Sequence, residues 1–339
     1  MRLIKTEDAV GHVLCHDMTQ IIKDQYKDAR FRKGHVVTEE DIPVLLSMGK
    51  EHLYVWEMTS GMVHENDAAE RLLTLCGQEN MIRSGVKEGK IELKAACDGV
   101  FLVDSARLVA VNSQDEVMIA TRKGGMAVRE GDKLAGMRVI PLIIEEEKLR
   151  KAEQAAGDKP LLSLKPYVRK TACIVATGGE VKKGLIKDTF TPVVIDKLKT
   201  YGIETLEVVY SGDGVENVRD AVLAMREKKP DMILCTGGMS VDPDDNTPGG
   251  IKAAGANIIA YGAPVLPGAM FLLGYFDDGM PVMGLPGCVM YAGATVFDLV
   301  LPKIAADVPV TRADLAALSE GGLCLGCKPC HYPICPFGK

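Results

Sequence analysis

The sequence is poor in aromatic residues and histidine, and it has no excess of basic residues. Aromatic side chains make up 5% of the 339 residues, with one tryptophan, and there are 6 histidines. The 40 basic and 46 acidic side chains give a formal charge of −6. Such a balance provides no bulk attraction to nucleic acid or to anionic lipid. We therefore expect neither a nucleic-acid nor a membrane partner.

Long hydrophobic runs are also missing. No uninterrupted apolar run reaches the roughly 20 residues needed to cross a bilayer, and the opening MRLIKTEDAV lacks the apolar segment of a signal peptide. Hydrophobic residues nevertheless make up 47% of the chain, which is enough for a substantial core. We expect a cytoplasmic protein with two or three packed domains, given its length.

Cysteine is present but unevenly distributed. Six of the 10 cysteines are scattered among apolar neighbours, which indicates reduced thiols of a core or a site. The other four, Cys324, Cys327, Cys330 and Cys335, lie within the last 16 residues, in a C-x2-C-x2-C-x4-C pattern with His331 beside the third. Their clustering predicts a shared function.

Short gaps between thiols allow a tight turn to direct several thiolates towards one centre. The tail pattern therefore fits an iron–sulfur cluster or a structural zinc ion, and redox-labile or disulfide-forming thiols are a third interpretation. The pattern has one residue more before its last cysteine than the bacterial ferredoxin run. Because Pro329, Pro333 and Pro336 exclude a helix, we expect that the tail has little to order it without a metal.

The first half of the chain mixes helical and β-rich patterns. Ile42, Leu45 and Leu46 precede Gly49 at near-helical spacing, and a second helix is predicted over residues 67–76. Residues 91–144 contain the short β-rich runs VFLVD, LVAVN, EVMIATR and RVIPLII, separated by glycine-containing turns. We predict an N-terminal α+β region over residues 1–80 and a small β-rich domain over residues 81–150.

The second half of the chain alternates strand-like and helix-like segments. The segment EEEKLRKAEQAAGDKP, before this alternation, is either a connecting helix or a linker. Strands that alternate with helices predict a mostly parallel sheet with right-handed crossovers. We therefore predict a three-layer α/β domain over residues 166–310, followed by a cysteine-rich tail over residues 311–339.

Two of the predicted strands end in the same Thr-Gly-Gly turn. The segments are CIVATGGE, residues 173–180, and MILCTGGM, residues 232–239. In a parallel sheet both turns open at the carboxyl edge, where ligands bind. Paired glycines let backbone N–H groups face an anion and let a phosphate approach closely. The repetition predicts a phosphate-binding edge.

An acidic loop follows the second turn. In SVDPDDNTP, Thr247 is a candidate N-cap with Pro248 at the first helical position, so these two residues have a purely structural explanation. The three aspartates at positions 242, 244 and 245 are better suited to Mg²⁺ near a phosphate, or to hydrogen bonds from a pterin.

The ordered set TGGE, GLIKDT, SGDG, TGGMSVDPDDNTP, VLPGAMF and GLPG resembles the molybdopterin-binding domain of the molybdenumtransferases and adenylyltransferases of molybdenum-cofactor biosynthesis. The segment RKGHVVTEEDIPVLLSMGKEHLYV is similar to the piece that precedes this domain in the molybdenumtransferases. The resemblance implies molybdopterin or its adenylate as ligand, Mg²⁺ as cofactor, and Asp245 and Glu180 as catalytic residues. The implied cofactor-binding residues are Thr177, Gly178, Gly179, Asp188, Asp213, Thr236, Gly237, Gly238, Ser240, Pro267, Gly268, Pro286 and Gly287.

The sequence departs from the transferase pattern at several positions. It has Gly179 where that pattern has an aspartate, and Leu266 and Ala269 where it has lysines suited to an oxyanion such as molybdate. Three functions are therefore open: transfer of molybdate to adenylylated molybdopterin, non-catalytic binding or sensing of the cofactor, and nucleotide hydrolysis of the competence-damage type. A homodimer, and a molybdoenzyme or redox partner bound through the tail, are further expectations.

Overall fold

The computed structural model describes residues 2–22, 26–55, 61–179, 185–240, 242 and 245–339. They divide into two compact units. The first contains residues 1–96, 103–124 and 131–163, and the second contains residues 97–102, 125–130 and 164–339. This division differs from the predicted segments, because parts of the segment 81–150 belong to the second unit.

The first unit opens with small antiparallel pairs of strands and two helices. Strand β1 pairs with β4, β2 with β3, and β5 with a later strand, β12. The second helix begins two residues before the predicted residue 67, because the His64 side chain accepts a hydrogen bond from the Asn66 N–H at its start. The elements are β1 (Arg2–Lys5), β2 (Met18–Ile22), β3 (Tyr26–Phe31), α1 (Asp41–Ser47), β4 (His52–Val55), β5 (Met62–His64) and α2 (Glu65–Cys76).

The rest of the first unit contains an antiparallel sheet of order β6-β7-β11-β9. The prediction of LVAVN as a β-rich run is wrong, because it belongs to a helix whose N-cap Asp104 accepts a hydrogen bond from the Arg107 N–H. The charged segment after residue 145 is a helix, and not a linker. The elements are β6 (Met81–Arg83), β7 (Ile91–Ala95), α3 (Ser105–Asn112), β9 (Val117–Thr121), β11 (Lys133–Val139), β12 (Ile143–Glu145) and α4 (Glu146–Ala156).

The second unit is built on a six-stranded sheet of order β15-β14-β16-β19-β18-β17. The pairs up to β19 are parallel and the last two are antiparallel, which confirms a mostly parallel α/β sheet. The strands are β14 (Thr171–Thr177), β15 (Glu204–Ser211), β16 (Met232–Thr236), β17 (Asn257–Tyr261), β18 (Leu272–Tyr275) and β19 (Pro281–Leu285). A smaller sheet of order β10-β8-β13 is formed by β8 (Gly99–Val103), β10 (Met126–Val128) and β13 (Leu162–Pro166).

Helices cover both faces of the six-stranded sheet. Successive residues of the central strands alternate between two buried clusters, because side chains of a strand point to opposite faces. Ile174 and Leu234 pack with helices α5 and α8, whereas Val175 and Cys235 pack with α6 and α7. The helices are α5 (Phe190–Lys199), α6 (Val215–Glu227), α7 (Thr247–Ala253), α8 (Val296–Ala305) and α9 (Arg312–Ala316). The result is the expected three-layer α/β arrangement.

Helix α8 begins at Val296, because the Thr295 and Asp298 side chains form a capping box there. One expectation about the end of the chain is wrong. The tail is ordered by the protein itself, since Phe337 is 2% exposed and packs in the same cluster as Ile174. In the part of the chain that the structure describes, no helix has the length and apolarity to cross a membrane.

Candidate functional site

The strand register brings the predicted turns to one edge of the sheet. Thr177 of β14 is level with Ser211 of β15, and Ala176 is level with Thr236 of β16. Thr236 is in turn level with Leu285 of β19. The four parallel strands therefore end together, and the loops that follow them share one carboxyl edge.

The two Thr-Gly-Gly turns contact each other directly. The Thr177 hydroxyl donates to the Thr236 carbonyl oxygen, with a distance of 2.9 Å between the oxygens. Its oxygen also lies 3.1 Å from the Thr247 hydroxyl oxygen, and the Thr247 hydroxyl donates to the Gly237 carbonyl oxygen over 2.8 Å. Thr247 is 1% exposed. Thr247 is the first residue of α7, where Asn246 is the N-cap, so the prediction of Thr247 as the N-cap is wrong.

Glycine is required where these turns meet. Gly237 and Gly238 have φ values of +81° and +56°, which side chains other than glycine rarely adopt. A Cβ at Gly237 would lie 2.3 Å from the Thr177 carbonyl oxygen, and one at Gly238 would lie 2.7 Å from the Thr247 hydroxyl oxygen. The two turns are thus as close as backbone can approach backbone.

Two aspartates hold loops at this edge. Asp213 accepts a hydrogen bond from the Gly179 N–H over 3.0 Å, and a Cβ at Gly179 would lie 2.7 Å from the same carboxylate oxygen. The transferase pattern has an aspartate at the position of Gly179. In this chain the space beside Gly179 is occupied by the carboxylate of Asp213. Gly178 donates its N–H to the Ser211 carbonyl oxygen over 3.2 Å.

Asp188 lies at the start of helix α5. Its Oδ1 accepts hydrogen bonds from the N–H groups of Phe190 and Thr191 over 2.9 and 3.0 Å, and the Tyr210 hydroxyl donates to its Oδ2 over 3.2 Å. Burial by itself raises the pKa of Asp188, but these hydrogen bonds outweigh it and hold the pKa below its ordinary value. The carboxylate is therefore ionised near neutral pH.

The acidic loop is braced by a tyrosine that the sequence did not single out. The Tyr261 hydroxyl donates to the Met239 carbonyl oxygen over 3.0 Å, and it lies 3.4 Å from the Ser240 carbonyl oxygen. Burial and the nearby charge of Asp245 raise the pKa of Tyr261. The Asp242 N–H donates to Asp245 over 3.3 Å, so this carboxylate also holds its own loop.

The two Pro-Gly pairs occupy different surroundings. Pro286 and Gly287 directly follow β19 and lie at the carboxyl edge, whereas Pro267 and Gly268 pack against Val296 at the start of α8. A Cβ at Gly268 would lie 2.6 Å from the Val296 side chain. The contact therefore gives Gly268 a packing role at the start of α8.

The acidic metal site is only partly described. Glu180 and Asp244 lie outside the described residues. Among the residues that are described, no three or more His, Cys, Asp or Glu side chains are placed to hold a metal ion. The predicted Mg²⁺ site at Asp245 therefore stays a prediction.

The tail cysteines are likewise not placed around a single ion, although all four line one cavity. They are reduced in the structure, with Cys327 and Cys330 exposed and Cys324 and Cys335 half-buried. The structure thus places the four predicted ligands around one cavity, but it does not place their sulfur atoms at bonding distance from one common metal position.

Parts of the chain are similar to known proteins. Residues 173–306 match the family described as "Probable molybdopterin binding domain", and residues 3–57 match a domain of unknown function. The chain is 33% identical over 76 residues to a CinA-like protein of Mycobacterium tuberculosis, an alignment that covers 22% of this chain and 18% of that protein. The chain thus spans less than a fifth of the length of that relative.

Two solved structures resemble the chain. The CinA protein of Thermoplasma acidophilum, whose function is unknown, is 18% identical, with a TM-score of 0.34 over 40% of this chain and 98% of that one. The molybdopterin biosynthesis enzyme MoaB of Thermus thermophilus is 16% identical, with a TM-score of 0.36 over 42% of this chain and 98% of that one.

Proposed function

We propose that the sheet edge of residues 173–306, the segment that matches the family described as "Probable molybdopterin binding domain", binds the phosphate-bearing end of molybdopterin or of its adenylate. The observation that supports the proposal most strongly is the direct hydrogen bond between the two Thr-Gly-Gly turns, from the Thr177 hydroxyl to the Thr236 carbonyl oxygen. This contact fixes two glycine-rich backbones side by side at the carboxyl edge of neighbouring parallel strands.

The residues at this edge suit a phosphorylated pterin. Positive φ values at Gly237 and Gly238 turn successive peptide groups in a way that favours anion binding. The carboxyl oxygens of Asp188 and Asp213 provide acceptors for the N–H groups of a pterin ring. A ligand with a phosphate at one end and hydrogen-bond donors at the other is therefore complementary to both parts of the edge.

Binding is better supported than transfer of molybdate. The loop that would carry two lysines has Leu266 and Ala269 instead, and the backbone of Leu266 is bridged to Leu323 of the tail. An oxyanion there would meet no side-chain cation from these positions. We therefore propose that the protein binds or delivers the cofactor, with Asp245 and Glu180 as the residues on which any transferase activity with Mg²⁺ would depend.

An adenine nucleotide is the alternative ligand, in line with the nucleotide hydrolysis that the sequence leaves open. The two ligands share a phosphate, so both would use the glycine turns. An adenine nucleotide that bound more tightly than molybdopterin, and that was hydrolysed, would support this alternative.

Anaerobic equilibrium binding separates these functions. The protein is titrated with molybdopterin, with its adenylate and with ADP, in the presence and absence of Mg²⁺ and molybdate, and the products are analysed. We expect tight binding of a pterin that is recovered unchanged. Release of AMP only when molybdate is present would establish transfer, and failure of both pterins to bind would contradict the proposal.

A further inference from the structure

The four tail cysteines surround a cavity of about 240 Å³ in the second unit. Its wall contains all four thiols together with His331. The rest of the wall is mostly apolar and is formed by Ala294, Leu325, Tyr332, Ile334, Pro336 and Phe337. This space lies away from the Thr-Gly-Gly turns, and no residue at those turns lines it.

Protein contacts hold the cavity open at several points. The Cys324 N–H donates to the Leu266 carbonyl oxygen over 2.8 Å. The Tyr332 hydroxyl donates to the Asp298 carbonyl oxygen over 3.0 Å, and Phe337 is buried against α8. Cys330 packs on Gly293, where a Cβ would lie 2.8 Å from the sulfur. The thiols are thus arranged by the fold before any ligand binds.

The size of the space argues against a single ion. A zinc ion binds four ligands at about 2.0–2.3 Å, so its sulfurs must converge on one point. Among the described side chains, no three that could bind a metal converge in this way. The cavity is also several times the roughly 30 Å³ that a water molecule occupies in the liquid. Thiols distributed around such a space suit a group with several metal atoms.

We propose that this cavity is the site of a four-iron, four-sulfide cluster, with Cys324, Cys327, Cys330 and Cys335 each bound to a different iron. On binding a preformed cluster that carries small thiolate ligands, each cysteine thiol forms one iron–sulfur bond, and its proton goes to the thiolate that leaves that iron. The exchange changes no oxidation state. The side chains around the cluster are mostly apolar, and His331 lies beside the third ligand.

The test uses the full chain purified anaerobically, before and after incubation with a preformed four-iron, four-sulfide cluster that carries small thiolate ligands. We expect about four irons and four acid-labile sulfides per chain, with the electron paramagnetic resonance signal of a reduced cluster after dithionite. Cys327→Ser should lose most of the iron. Because Cys327 is exposed, its substitution leaves the core unchanged, which circular dichroism checks.

Cys97→Ser is the matched control, because Cys97 is also a free cysteine of the second unit but does not line the cavity. It should retain the iron of the unsubstituted protein. Equal iron loss in both variants would overturn the proposal. So would about one tightly bound zinc per chain, a disulfide within the tail after anaerobic purification, or metal-free protein whose four tail thiols titrate freely after reconstitution.

Discussion

Thr177 and Thr247 are seventy positions apart in the chain, yet their hydroxyl oxygens lie 3.1 Å apart where two glycine-rich turns meet. Thr247 donates to the Gly237 carbonyl oxygen of the second turn, and Thr177 of the first turn donates to the Thr236 carbonyl oxygen of the second. The phosphate-binding geometry that we propose depends on this contact, because it determines how closely the two backbones approach.

Thr247→Val should destabilise the protein by about 1–3 kcal/mol, because the Gly237 carbonyl oxygen loses a buried donor while the side-chain shape is retained. Urea unfolding measures the change. Thr200→Val is the control, since the Thr200 hydroxyl is exposed and bonds only to the neighbouring Lys197 carbonyl oxygen. Equal stability of the two variants would show that the contact is unimportant.

The sequence predicts the sheet edge but not this contact. Two apolar strands with identical turns are visible as a pattern, and parallel strands place such turns at one edge. Thr247 precedes Pro248 at a helix start, and this local explanation hid its role. A hydrogen bond to a residue seventy positions away has no local signal. Likewise, Tyr261 belongs to an edge strand that was not predicted.

Asp245→Asn should leave the free energy of unfolding unchanged and weaken binding of molybdopterin or its adenylate. Loss of a charge-assisted hydrogen bond should cost about 1.5–3 kcal/mol of binding free energy. Titration calorimetry measures the effect, with Asp220→Asn as the control, because Asp220 is exposed and pairs with Arg219 on α6. Unchanged affinity in Asp245→Asn would remove this residue from the site.

Asp231 should make stability depend on pH. Burial raises its pKa, but hydrogen bonds from the N–H groups of Lys170 and Thr171 and from the Thr171 hydroxyl, over 2.6–2.9 Å, outweigh it, and the pKa lies below the ordinary 3.8. A carboxylate whose pKa is lowered by folding stabilises the protein above its unfolded-state pKa, and this contribution is lost as pH falls through the folded-state pKa.

Asp231→Asn should therefore lower the free energy of unfolding at neutral pH, and its difference from the unsubstituted protein should shrink as pH falls below 3.8. Urea unfolding over a pH series measures this difference. Asp196→Asn, at an exposed carboxylate on α5, is the control. A difference that stayed constant through the acidic range would contradict the assignment.

Phe337→Ala should destabilise the protein by about 3–5 kcal/mol, because a buried aromatic ring is removed from the main cluster. Ile334→Ala, at a residue that is 87% exposed, should change the free energy of unfolding by less than about 0.5 kcal/mol. Limited proteolysis should then cut the tail faster only in Phe337→Ala. Similar proteolysis of both variants would show that Phe337 does not anchor the tail.

The tail shows where sequence patterns mislead. Cysteine spacing identified the group of thiols, but the three prolines suggested a segment without internal order. Order comes instead from Phe337 and Tyr332, which pack on the domain. The cysteine pattern does not predict these two contacts. Similarly, the β-branched run in LVAVN suggested a strand, whereas the cap at Asp104 began a helix.

The most direct test of the proposed function compares Gly237→Ala with Gly255→Ala in binding of adenylylated molybdopterin. Both glycines have positive φ values, but only a Cβ at Gly237 meets the facing turn, whereas one at Gly255 meets nothing within 4 Å. We predict that Gly255→Ala binds like the unsubstituted protein and that Gly237→Ala loses at least about tenfold in affinity, equivalent to 1.4 kcal/mol. Normal binding by folded Gly237→Ala would contradict the account.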